Sequence, residues 1–177
     1  MTTTRPPTAA DRSWRLSGAA RKATLLVHIL SAIGWLGIDL VLGVFVLMTR
    51  ISGDADVVAV SYQAMRIFAV TMMLPAGLLC LGSGVLLGLG TRYGVVRNWW
   101  VAVKLGLNIV LTLLIPLALL PLVENAAEYG RQLASGEMTR AAPSDLLFPP
   151  IVSAVTLIFA SVLSVYKPWG RIRRASA

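Results

Sequence analysis

The chain has 177 residues, 56% of them hydrophobic and 14% charged, with a mean hydropathy of +0.75. A soluble domain carries about 25% charged residues, so this chain has too little polar surface to coat a globule in water, and a single membrane-embedded domain is expected. The formal net charge of +8 does not imply nucleic acid, because the basic residues lie at the termini and flank apolar blocks, where topology and anionic lipid head groups explain them.

Residues 1–21, rich in Thr, Pro, Ala and Arg, read as a flexible basic tail. Beyond them, a hydrocarbon layer roughly 30 Å thick needs about 20 apolar residues to cross it. Four segments qualify: 24–48, 67–90, 98–120 and 146–166. Backbone groups must be satisfied inside lipid, so each is expected to be a helix. The alternation of a membrane β-strand is absent. The fold class is therefore all-α, a polytopic four-helix transmembrane bundle over residues 22–167, with a basic tail over 168–177. The first segment is too long for a cleaved signal and ends without a small-x-small site.

Basic residues set the direction. Arg5, Arg12, Arg15, Arg21, Lys22, Arg92, Arg97, Lys167, Arg171, Arg173 and Arg174 share one side, against Arg50, Arg66, Arg131 and Arg140 on the other. That bias predicts both termini in the cytoplasm and a multi-pass protein of the bacterial cytoplasmic membrane. Trp99, Trp100, Tyr166 and Trp169 stand at the cytoplasmic boundary as anchors. On the opposite side, "LVENAAEYGRQLASG" predicts a helical extension of the third span ending at Gly136.

Two spans carry polar residues where hydrocarbon disfavours them. His28, Ser31, Trp35 and Asp39 recur at helical spacing and form one stripe of the first span. Lys104, Asn108 and Thr112 do the same in the third. A central Asp or Lys costs about 2.5 to 3.5 kcal/mol on insertion scales, so such residues need partners, water or a neutral form. Spans one and three run parallel, so depths compare directly. The expectation is an interior seam with two levels: His28 with Lys104 below, and Asp39 with Asn108, Thr112 and Ser153 above. Plainer readings compete at each site. Lys104 snorkels to the cytoplasmic face, Asp39 hydrogen-bonds two helices together, and His28 is a neutral imidazole bonded to Ser or backbone.

Other features bear on packing. Gly84 and Gly88 have GxxxG spacing, and Thr156, Ala160 and Ser164 form a small-residue stripe, both suited to close helix approach. Pro75 and Pro116 are expected to kink their helices, as a packing irregularity rather than a hinge. Met72, Met73 and Cys80 read as packing residues, and a lone cysteine forms no internal disulfide. The "GLGTRYG" stretch ends a membrane helix with no strand before it, so it is not a nucleotide loop. Walker, CxxC, HExxH and nucleophile-elbow patterns are absent, which disfavours an enzyme.

The stretch "LLVHILSAIGWLG" resembles the first-helix signature of a superfamily of small bacterial membrane proteins. That superfamily includes the copper-resistance D type, the J-type protoporphyrinogen oxidases and a large uncharacterised family of predicted four-helix integral membrane proteins. "MRIFAVTMMLPAGLLCLGSGVLLG" looks most like the second helix of the last family, and "NWWVAVKLGLNIVLTLL" is similar to the third helix of the oxidases. The resemblance covers about residues 22–120. By motif position it implies haem b on His28, as an iron ligand, with Lys104 beside it. Two departures stand out. A single histidine allows no bis-His haem within one copy, and "GIDLVLGVFVL" replaces the oxidases' longer, more polar motif. The copper-resistance proteins use several His and Met ligands, whereas this chain has one histidine and its Met72 and Met73 read as packing residues.

Three functions follow as expectations. The first is a structural, accessory or binding protein of the membrane, in contact with lipid and with anionic head groups at its tails. The second is a haem-binding redox protein using His28 and Lys104. The third is a small proton-coupled carrier using Asp39, which requires a homo-oligomer because four spans are few for a carrier.

Overall fold

The computed structural model describes residues 16–90, 98–137 and 141–166. The expectations for most of the N-terminal tail, the C-terminal tail, Arg92, Arg97, Arg140 and Trp169 lie outside the described residues. Four long helices make up the fold: α1 (Gly18–Ile51), α2 (Ala55–Gly90), α3 (Trp99–Ser135) and α4 (Phe148–Tyr166). Each is long and apolar enough to cross a membrane. Among the described residues there is no strand. The side holding the start of α1 and the end of α4 is called the near side below, and its opposite the far side.

Local chemistry sets the helix ends. Ser17 caps α1 by accepting from the Ala20 amide at 3.2 Å, so the helix begins inside the stretch assigned to the flexible tail. Asp54 caps α2 by accepting from the Asp56 amide at 2.9 Å. Gly136 closes α3 with φ 75°, a left-handed conformation that glycine adopts without penalty. The predicted extension of the third span is therefore a continuous helix. That of the second was not expected: α2 starts at Ala55, twelve residues before the apolar run. With 36 and 37 residues, α2 and α3 reach about 54 Å at 1.5 Å per residue, well beyond a hydrocarbon layer of roughly 30 Å.

Two helices widen in mid-course. Residues Ala69–Met73 of α2 and Ile115–Leu119 of α3 form π-helical turns. Each ends two residues before a proline, Pro75 and Pro121. A proline has no amide hydrogen to donate, and its ring crowds the carbonyl four residues back. Widening the preceding turn relieves that crowding without breaking the helix. The irregularity expected at Pro116 is thus tied to Pro121, and Pro116 itself lies inside the widened turn.

The helices form a ring. α1 packs along both halves of α2 and on α4, α4 packs on the near half of α3, and α2 and α3 pack on each other along their length, most extensively at their far halves. α1 and α3 stand diagonally across it. One apolar cluster runs through the centre, including Trp35, Leu42, Met65, Met73, Leu119 and Val123. Apolar residues also cover the outside: Leu40 is 63% exposed, Leu117 73% and Val165 75%. In water that surface would aggregate, whereas in a bilayer it meets its solvent.

The far halves of α2 and α3 make the tightest contact. The rings of Tyr62 and Tyr129 meet edge to face at 5.4 Å. Arg66 and Glu124 lie 4.0 Å apart. A Cβ added at Gly130 would lie 2.7 Å from the Ala59 carbonyl oxygen and 2.9 Å from Tyr62 Cβ. Backbone cannot retreat as a flexible side chain does. Gly130→Val is therefore expected to cost about 1–3 kcal/mol, read as a lower unfolding midpoint in detergent. Gly106→Ala, whose added Cβ meets nothing within 4 Å, should leave the midpoint unchanged or raise it.

Candidate functional site

The polar stripe of α1 faces α2 in a matched register. Trp35 lies against Gly77, Ser31 approaches Cys80, and His28 lies against Gly84. Both sets are spaced three then four along the chain, so in the antiparallel pair a step of four on α1 faces a step of three on α2, and a step of three faces four. An added Cβ at Gly77 would come within 3.1 Å of the Trp35 ring, and one at Gly84 within 3.1 Å of His28 Cε1. These glycines thus make room for two large rings. Gly84 serves the imidazole here, a different role from the helix-contact motif expected with Gly88.

Cys80 is the hub of the lower level. His28 Nδ1 donates to the Cys80 carbonyl at 3.0 Å and lies 3.1 Å from Ser83 Oγ. A carbonyl only accepts, so Nδ1 carries a hydrogen. In the neutral ring Nε2 then holds a lone pair. Ser31 Oγ donates to the His28 carbonyl at 3.0 Å. From the opposite side of the ring, Asn108 Nδ2 donates to Cys80 Sγ at 3.2 Å, and Thr112 Oγ1 donates to Asn108 Oδ1 at 3.2 Å. The cysteine is 2% exposed within the packed core, as expected of a packing residue, and its carbonyl and thiol also tie three helices together. Asn108 and Thr112 were expected beside Asp39. They bond toward Cys80 instead.

Lys104 reaches back toward the near side. Its ammonium donates to Ser164 Oγ, two residues before the end of α4, and lies 5.8 Å from the centre of the Trp100 ring. This is the snorkelling geometry, with a hydroxyl partner added. Lys104 and His28 thus share one end of the bundle, but each is held by a different neighbouring helix.

Asp39 forms the upper level. It is 2% exposed, and its Oδ2 accepts from Ser153 Oγ of α4 at 2.7 Å. Its Oδ1 and the Trp35 Nε1 are buried with no hydrogen-bond partner. Both residues line a cavity of about 120 Å³ together with Ser153, Met73, Ile115 and Pro150. Met73 and Ile115 belong to the two widened turns, so the cavity opens where α2 and α3 swell. Among the described residues no group of three His, Cys, Asp or Glu side chains comes together to hold a bare metal ion.

The family model for a predicted integral membrane protein (DUF2269) matches residues 22–168. No curated protein and no solved structure matches the chain. The family match lends no support to the wider link with the copper-resistance D proteins and the J-type protoporphyrinogen oxidases.

The bond between Asp39 and Ser153 can be measured as a coupling. Hydrogen bonds between membrane helices contribute about 0.6 kcal/mol on average and up to about 1.7 kcal/mol. A double-mutant cycle of Asp39→Leu and Ser153→Ala, followed by equilibrium unfolding in mixed detergent, should give a coupling in that range. Ser153→Ala alone should destabilise more than it does in the Asp39→Leu background, because it leaves both carboxyl oxygens unpaired.

Proposed function

Because the chain belongs to this family of predicted integral membrane proteins, we propose that it works inside the bilayer as an accessory protein that binds a ligand in its polar seam and performs no catalysis. The charge bias supports the bacterial cytoplasmic membrane as its location, with both termini cytoplasmic. One observation carries the reading: Asp39 Oδ1 and Trp35 Nε1 are buried and unpaired, and their residues border a cavity. Leaving a buried polar group unsatisfied costs about 1–3 kcal/mol. A purely structural stripe would lose that cost by substitution to leucine or phenylalanine. A binding site retains it, because the ligand removes it.

Ligand that binds only the folded state stabilises that state by mass action. Delipidated protein in detergent should therefore gain a higher unfolding midpoint when an extract of the host membrane lipids is added back. Asp39→Leu should lose most of that gain. Equal gains in the two proteins would remove the reading.

A second reading is haem b on His28. It is favoured by the Nδ1 bond to the Cys80 carbonyl, which fixes the ring and leaves Nε2 as the ligating nitrogen. In this reading His28 would supply one axial ligand, and Lys104, now bonded to Ser164, would turn to a propionate. When bound, the haem supplies one-electron redox chemistry. The chain's part is to orient the imidazole through Cys80 and Ser83. Reconstituted protein should show a Soret band that His28→Ala abolishes, and a preparation that stays colourless after haem addition counts against this reading.

A further inference from the structure

We propose that the near end of the seam between α3 and α4 binds one anionic phospholipid of the near leaflet, with the lipid phosphate on the Lys104 ammonium. The site lies at the other end of the bundle from Asp39 and goes beyond the binding reading above.

The lysine has donors to spare. An ammonium offers three N–H groups and no acceptor. One goes to Ser164 Oγ, whose own hydrogen goes to the Ala160 carbonyl at 3.0 Å. The Trp100 ring, 5.8 Å away, attracts the cation through its face and takes up no conventional hydrogen bond. Two N–H groups are left for a ligand.

The charge has no counter-ion on the helices around it. Of the eight acidic residues, Asp54, Asp56, Glu124, Glu128, Glu137 and Asp145 belong to the far side and Asp39 to the upper level. The Arg66–Glu124 and Arg131–Glu128 ion pairs lie on the far side too. That leaves Asp11, which precedes the first helix and stands next to Arg12. The near end instead adds Arg21 and Lys22, both exposed. An ionised group within a membrane protein faces an opposite charge or water. Here the opposite charge has to come from outside the helices.

Depth selects a lipid phosphate. Lys104 lies five residues inside Trp99, the first residue of α3, or about 7.5 Å at 1.5 Å per residue. Its side chain reaches back to Ser164, two residues inside the end of α4 at Tyr166, or about 3 Å. Trp99 is 54% exposed and Tyr166 76%, as aromatic residues are at head-group level. The ammonium therefore sits just beneath the phosphates of the near leaflet. The seam is also open to lipid. Trp100, Lys104 and Leu107 of α3 and Ala160 and Ser164 of α4 are all only half-buried, and Val162 and Val165 beside them are exposed. A compact ammonium binds phosphate as a point charge. A zwitterionic lipid brings its own cation next to Lys104, Arg21 and Lys22, whereas phosphatidylglycerol brings none.

The test titrates the full-length, haem-free protein in detergent with phosphatidylglycerol and with phosphatidylcholine of the same chains, and counts bound lipid by native mass spectrometry. The first phosphatidylglycerol should bind at least about fivefold tighter than phosphatidylcholine, a difference of about 1 kcal/mol. Lys104→Gln should lose that preference, and Lys104→Arg, which keeps the charge, should retain it. Circular dichroism should confirm both folds. The Arg21→Gln, Lys22→Gln double variant should lose less than Lys104→Gln, and Asp11→Asn should change nothing. No preference in the wild type assigns the ammonium to water and overturns the proposal. Equal losses in Lys104→Gln and Lys104→Arg overturn it, as does a larger loss in the double variant, which places the lipid on the exposed charges. A preference that rises in Asp11→Asn gives the ammonium to the tail carboxylate and overturns it. Displacement of the lipid by equimolar glycerol 1-phosphate or inorganic phosphate makes the ligand a soluble anion and also overturns it.

Discussion

Hydrocarbon offers no hydrogen bonds, and every polar group in this bundle must answer to that constraint. α1 brings an imidazole, a serine, an indole N–H and a carboxyl into the membrane on one stripe. α3 brings an ammonium, an amide and a hydroxyl on another. The two helices stand diagonally, so neither stripe is completed by the other directly. The intervening helices supply the partners that are found, leaving the Trp35 indole N–H and one Asp39 carboxyl oxygen without one. α2 supplies the Cys80 carbonyl and thiol, and α4 supplies Ser153 and Ser164. The order of helices around the ring is thus the order in which polar groups find partners.

Prolines give the site its space. Pro75 and Pro121 sit on adjacent helices, each preceded at the same distance by a π-turn. A regular helix at both places would carry Met73 and Ile115 on a narrower cylinder, and the packed cluster would close over Asp39. The swelling keeps a hollow open at the depth where the carboxyl and the indole lack partners. Local backbone chemistry and the site's chemistry therefore meet at one level of the bundle, and π-turns inside helices recur at functional sites for this kind of reason.

Much of this was legible from residue order. The four spans follow from apolar run length, and the polar stripes of α1 and α3 from helical spacing. The far halves of α2 and α3 were harder to read. Ala55–Phe68 is mixed in polarity, and its helix is held by a neighbour at Gly130 that no local pattern announces. The further role of Cys80 was not legible because its main partner-making group is a backbone carbonyl, which every residue has. Depth alone placed Asn108 beside Asp39. The ring geometry turns it toward Cys80, and depth along an axis carries no information about rotation around it. The shared three-then-four spacing of Gly77, Cys80 and Gly84 and of His28, Ser31 and Trp35 was the available signal for the α1–α2 face.

The bond from Ser153 to Asp39 spans 114 positions of chain. A ribosome adding about 5–20 residues per second needs roughly 6 to 23 s to bridge that interval. Throughout it the carboxyl of α1 is made, threaded into the membrane and left waiting for a hydroxyl not yet synthesised. Until its last helix arrives the nascent protein carries that acid without its hydroxyl, at a cost of about 2.5 to 3.5 kcal/mol that the apolar length of the first span has to offset.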